Sequence, residues 1–133
     1  MQNYEWYQKL LKPSWAPPSR VFGPVWTFLY VLIAISFGFV FYQAAVGQLS
    51  FWIVLPFSLN LIFNFAFTPI QFGLKNNALA ATDVILVLVT LVFALSAIFP
   101  AAPWVVYINI PYLLWVAFAT VLQLTITKLN RKQ

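Results

Sequence analysis

Between Val21 and Thr127 this sequence carries only two charged side chains, Lys75 and Asp83. A soluble domain cannot cover itself with so few charges, and 63% of the 133 residues are hydrophobic. The stretch must therefore face hydrocarbon, and the chain reads as integral to a membrane. Four apolar runs of spanning length lie at about 21–42, 50–70, 78–99 and 104–127. Runs of this length match a hydrocarbon core of ~30 Å at a helical rise of ~1.5 Å per residue. Inside that core every backbone group must be paired internally, which leaves helices or closed barrels. Barrel strands would be shorter and would alternate strictly; these runs do neither. The predicted fold class is an all-α membrane protein, a four-transmembrane-helix bundle over residues 21–133. An amphipathic Trp/Pro-rich segment, 1–20, precedes it on the cytoplasmic side.

The basic residues support that count. Lys9, Lys12 and Arg20 precede the first span, Lys75 separates the second and third, and Lys128, Arg131 and Lys132 follow the fourth. With four spans all of them fall on one side, and the opposite loops, 43–49 and 100–103, have none. The positive-inside rule then places both termini in the cytoplasm. The net charge of +5 is explained by this topology and by anionic lipid headgroups, so no nucleic-acid partner is expected. Met1 to Leu11 lacks the apolar core of a signal peptide.

Catalytic chemistry is thinly supplied. The chain has no histidine, no cysteine and two acidic residues. Ser-His-Asp and Cys-His arrangements and a His/Cys metal site are therefore excluded. No catalytic residue, metal or obligatory cofactor is predicted.

Trp52 and Trp104 sit at the uncharged ends of the second and fourth spans, where interfacial belts explain them. Trp26 and Trp115 lie deeper, where an indole N–H finds no partner in lipid. Around them run stripes at helical spacing: Phe22, Trp26 and Tyr30 on the first span; Asn60, Asn64, Thr68 and Gln71 on the second; Pro111, Trp115, Ala119 and Gln123 on the fourth. Asp83, on the third, should face the bundle interior, with Lys75, Asn64 or the Trp115 indole as partner. These polar groups read either as interhelical glue, the better account for Asn60, or as the lining of a shared cavity.

The stretches "WYQKLLKPSWAPPSRVFGPVWTFLY", "LNLIFNFAFTPIQFGL", "LAATDVILV" and "PYLLWVAFAT" resemble, in order and over essentially the whole chain, the tryptophan-rich sensory protein family. Its members are also called translocator proteins or peripheral-type benzodiazepine receptors. The resemblance implies a helical membrane protein, often a homodimer, that binds porphyrins, some sterols and benzodiazepine-type drugs. In bacteria it implies an inner-membrane protein linked to tetrapyrrole metabolism and stress sensing. Family members have five helices; this sequence opens at the loop that follows their first, so four are expected. The resemblance places ligand contacts at Trp6, Tyr7 and Trp15 of that loop, and at Trp26, Tyr30, Asn64, Asp83, Trp115 and Ala119 of the spans. Sterol specificity is not expected, because Leu122 to Lys128 reads "LQLTITK", without the tyrosine of the sterol pattern.

The stiff proline-rich lead-in would hold its aromatics over the cavity mouth at little ordering cost. Lys12 and Arg20, at headgroup depth, would meet the carboxylates of a porphyrin, whose ring is held by shape rather than by iron ligation. Porphyrin or another hydrophobic small molecule is thus the expected ligand. Porphyrin degradation, proposed for some family members, would fall to the tryptophans. Two other readings compete: a four-helix proton-coupled multidrug exporter, for which Asp83 is the sole membrane carboxylate, and a non-binding assembly subunit.

Overall fold

The computed structural model describes residues 14, 19–70, 74 and 76–129. Among the described residues a 3-10 turn, Ser19–Val21, leads into five helices: α1 (Phe22–Ala45), α2 (Phe51–Thr68), α3 (Asn77–Ile98), α4 (Pro103–Ile108) and α5 (Ile110–Leu129). No strand occurs among the described residues. α1, α3 and α5 are each long and apolar enough to cross a bilayer, and α2 adds a shorter apolar helix. The chain is an all-helical, multi-pass membrane protein.

Local chemistry sets the helix ends. α1 closes in a Schellman arrangement: the Gln48 N–H donates to the Gln43 carbonyl at 2.8 Å and the Gly47 N–H to that of Ala44 at 3.2 Å. Gly47 takes the left-handed conformation that this turn requires, φ 81°. Ser50 caps α2, its side chain accepting from the Trp52 N–H at 3.2 Å. Asn76 caps α3 in the same way, accepting from Leu79 at 2.9 Å.

The fourth expected span, 104–127, is not one straight helix. It is divided into α4 and α5 at Asn109. Pro111 has no N–H to give the Tyr107 carbonyl, so the helical ladder is interrupted there. Asn109 secures the break from inside. Its Nδ2 donates to the Val105 carbonyl and to Ser36 Oγ of α1, both at 2.8 Å.

α3 is the central helix, with 50% of its most apolar stretch buried, against 28% for α1 and 33% for α5. It packs along both α2 and α5. Ala80, Ala81 and Ala94 on its buried side let neighbours approach closely. The core runs through Leu29, Ile33 and Phe37 of α1, Phe57 of α2, Leu91 and Ile98 of α3, and Val105. Phe37 and Phe57 meet edge to face at 4.7 Å.

Neighbouring helices run antiparallel. The start of α3 meets the end of α5, where the Asn77 carbonyl accepts from Gln123 Nε2 at 3.4 Å and Thr127 Oγ1 at 3.1 Å. Arg20 and Lys128, both exposed, lie toward one end of the bundle. Trp104 lies toward the other, in edge contact with Phe39 at 4.9 Å. Trp52 is 80% exposed, as an interfacial residue would be.

Candidate ligand site

The helical spacing of Phe22, Trp26 and Tyr30 sets three rings along α1. Each reaches a different helix or ring. Phe22 meets Trp115 of α5 edge-on at 5.8 Å. Trp26 lies 5.5 Å from Tyr30 and 6.3 Å from Tyr112 of α5. Tyr30 lies 6.1 Å from Phe65 of α2, and Trp115 5.6 Å from Phe118. Aromatic faces thus bridge α1 to α2 and α5. Ala119, one turn beyond Trp115, is half-buried.

A chain of hydrogen bonds runs beneath the rings. Tyr30 Oη donates to Asn64 Oδ1 at 3.0 Å, and Asn64 Nδ2 donates to Tyr112 Oη at 2.7 Å. Tyr112 Oη donates to Asn60 Oδ1 at 2.8 Å. Asn60 Nδ2 donates to the Val87 carbonyl at 2.9 Å and to Thr90 Oγ1 at 3.2 Å. The chain therefore crosses from α1 through α2 and α5 to α3. Asn60 and Tyr112 have no exposed surface, and Asn64 is buried. Interhelical bonds of this kind contribute roughly 0.6–1.7 kcal/mol each in a membrane.

Asp83 shares the buried stripe of α3 with Ala80, Val87, Thr90 and Ala94. The expectation that Asn64 or Trp115 pairs with it is not met. The amide of Asn64 is taken up by Tyr30 and Tyr112. Asp83 Oδ2 and Trp115 Nε1 are both buried and neither has a hydrogen-bond partner. From the contacts of Asn77 with Gln123 and Thr127, helical rise puts Asp83 ~9 Å deeper along α3 and Trp115 between ~12 and ~18 Å deeper along α5. The two uncompensated groups therefore lie on neighbouring helices, with Trp115 the deeper. Each would be costly to bury in this way without a further molecule to pair with.

Of the residues expected at the site, Trp26, Tyr30 and Asn64 meet in one cluster with Tyr112, and Trp115 sits in a second set of ring contacts with Phe22 and Phe118. Asp83 is buried on α3, and Ala119 is half-buried one turn beyond Trp115 on α5. Arg20 is exposed ahead of α1. Trp6, Tyr7, Lys12, Trp15, Lys75 and Gln71 lie outside the described residues. Tyr112 and Thr90 were not anticipated as members. Tyr112 could have been found: a tyrosine three residues before Trp115, at mid-membrane depth, must spend its hydroxyl on a neighbour.

A concavity of about 350 Å³ lies between α3, α4 and α5 and is lined by Val92, Leu95, Ser96, Phe99, Val106 and Leu113. None of the rings or amides above contributes to it.

The sequence profile described as the TspO/MBR family matches residues 1–129. The chain is 41% identical over 128 residues to the tryptophan-rich protein TspO of Bacillus cereus, covering 94% of this chain and 80% of that protein. It is 38% identical over 132 residues to the protein CrtK of Rhodobacter capsulatus, covering 94% and 78%. To the human translocator protein it is 33% identical over 132 residues, covering 97% and 77%.

Proposed function

Because this chain belongs to the TspO/MBR family, we propose that it is a membrane receptor or carrier for porphyrins or similarly flat hydrophobic molecules. The ligand rests against Trp26, Tyr30 and Trp115, with Asn64, Asp83 and Ala119 around it. Trp6, Tyr7 and Trp15 cover the mouth. Lys12 and Arg20, on the basic side, meet the ligand's carboxylates. The protein works as a homodimer in the bacterial inner membrane with both termini cytoplasmic, and it couples tetrapyrrole level to a regulatory or stress response.

The observation that carries this reading is the group of rings joining α1 to α5 beside an indole N–H with no partner. A flat ligand with polar edges would cover the rings and pair with the donor.

Titrating the purified chain with protoporphyrin and with its dimethyl ester tests the charge recognition. Lys12→Ala and Arg20→Ala should each weaken the free acid several-fold, and should leave the ester unchanged. Equal affinity of wild type for acid and ester would remove Lys12 and Arg20 from the site.

One observation favours an exporter instead: Asp83, 5% exposed, is a membrane carboxylate with an unpartnered oxygen. Proton-driven efflux of a lipophilic cation from vesicles, abolished by Asp83→Asn, would replace the receptor reading.

A further inference from the structure

The hydrogen-bond chain has a direction, and that direction is fixed from its far end. The Val87 carbonyl can only accept, so the atom of Asn60 facing it must be Nδ2. Thr90 agrees, because its hydroxyl proton is committed to the Leu86 carbonyl at 2.7 Å and its oxygen is left to accept from Asn60. Asn60 therefore turns Oδ1 toward Tyr112, and Tyr112 must donate. The Tyr112 oxygen can then only accept from its other neighbour, so Asn64 presents Nδ2 to it. That leaves Oδ1 of Asn64 toward Tyr30, and Tyr30 must donate as well. Every proton in the chain points inward, away from Tyr30.

Tyr30 is the open end. Tyr30 is 39% exposed as a residue and its bond to Asn64 is part-buried, whereas Tyr112 and Asn60 have no exposure. With its own proton committed to Asn64, the phenol oxygen has only lone pairs to offer. We infer that Tyr30 is the specificity-determining residue of the site, acting solely as an acceptor for a ligand N–H or O–H, and that Tyr112 is the positioning residue that enforces this polarity. The inference rests on the reading that the ring group receives a ligand, but it does not require a porphyrin. The ligand class it selects is a flat lipophilic molecule carrying a hydrogen-bond donor near its ring. A molecule offering only an ether or carbonyl oxygen at that point meets lone pair against lone pair.

The test uses two probes that differ by one donor, 1-pyrenebutanol and its methyl ether, titrated against the full chain in lipid nanodiscs. Binding is read by energy transfer from tryptophan to pyrene. Wild type should bind the alcohol about fivefold more tightly than the ether, as one net hydrogen bond would give. Tyr30→Phe should bring the two affinities together. Tyr112→Phe releases the Asn64 amide to turn over, which lets Tyr30 donate. That variant should bind the ether more tightly than wild type does. A merely structural role for Tyr112 would weaken both probes alike, and that outcome overturns the inference. So does equal binding of the two probes by wild type, or binding of neither. Tyr30→Phe alone decides the matter if Tyr112→Phe fails to fold, since its hydroxyl sits at the exposed end of the chain. Protoporphyrin titrated in the same nanodiscs separates the two claims. Porphyrin binding without alcohol preference removes only the inference. Alcohol preference without porphyrin binding removes only the proposed ligand.

Discussion

At the scale of single residues, the informative groups are those that the fold leaves incomplete. Trp115 packs its ring between Phe22 and Phe118 while its N–H meets nothing. Trp115→Phe keeps most of that ring contact and deletes the orphaned donor. Thermal unfolding in detergent should show stability held, or raised by about 1 kcal/mol, because an unsatisfied buried donor costs roughly that much or more. A loss of stability would mean that the indole is paired in the resting protein. Asn64 behaves in the opposite way. Its amide is used at both ends, on Tyr30 and Tyr112. The sequence stripe of Asn60 and Asn64 was legible at helical spacing. What they bind was not, since that depends on how α5 is rotated about its axis.

At the scale of elements, the inward face of α5 explains that gap. Counting in fours from Pro111 gives Pro111, Trp115, Ala119 and Gln123 as one face, all of it within α5. The buried face lies one residue along for most of its length, at Tyr112, Val116 and Thr120, and rejoins the count at Gln123. Tyr112 is thus turned inward with no exposed surface, and Pro111 faces out. Asn109, bonded to Ser36 of α1, ties the start of α5 to the bundle. Helix existence, by contrast, was readable from length and hydropathy, because lipid leaves the backbone so few choices. The turn after α1 offers a test of local cause. Gly47 at φ 81° has open space where a Cβ would stand, so Gly47→Ala would add backbone strain without a clash. The expected loss is roughly 1–2 kcal/mol, the penalty for a left-handed residue with a side chain. No loss in thermal unfolding would mean that the turn can close by another route.

At the scale of the whole molecule, two kinds of packing divide the bundle. α3 lies close against α2 and α5, with alanines at the contacts. α1 joins the others mainly through large rings, Phe37 on Phe57 and the rings of Phe22, Trp26 and Tyr30, with one hydrogen bond from Asn109 to Ser36. Close packing makes α3 the frame, and the ring-filled seam along α1 is where a flat molecule could exchange contacts with the protein. Arg20, two residues before Phe22, lies at the end of this seam. The most direct measurement is porphyrin affinity, read from the Soret band, in four alanine variants. Trp26→Ala and Trp115→Ala remove rings of the seam; Trp52→Ala and Trp104→Ala remove rings at the opposite end. The account predicts a loss of about tenfold or more in the first pair, as for stacked aromatic anchors, and little change in the second. Equal losses in all four, or losses confined to Trp52 and Trp104, would contradict it.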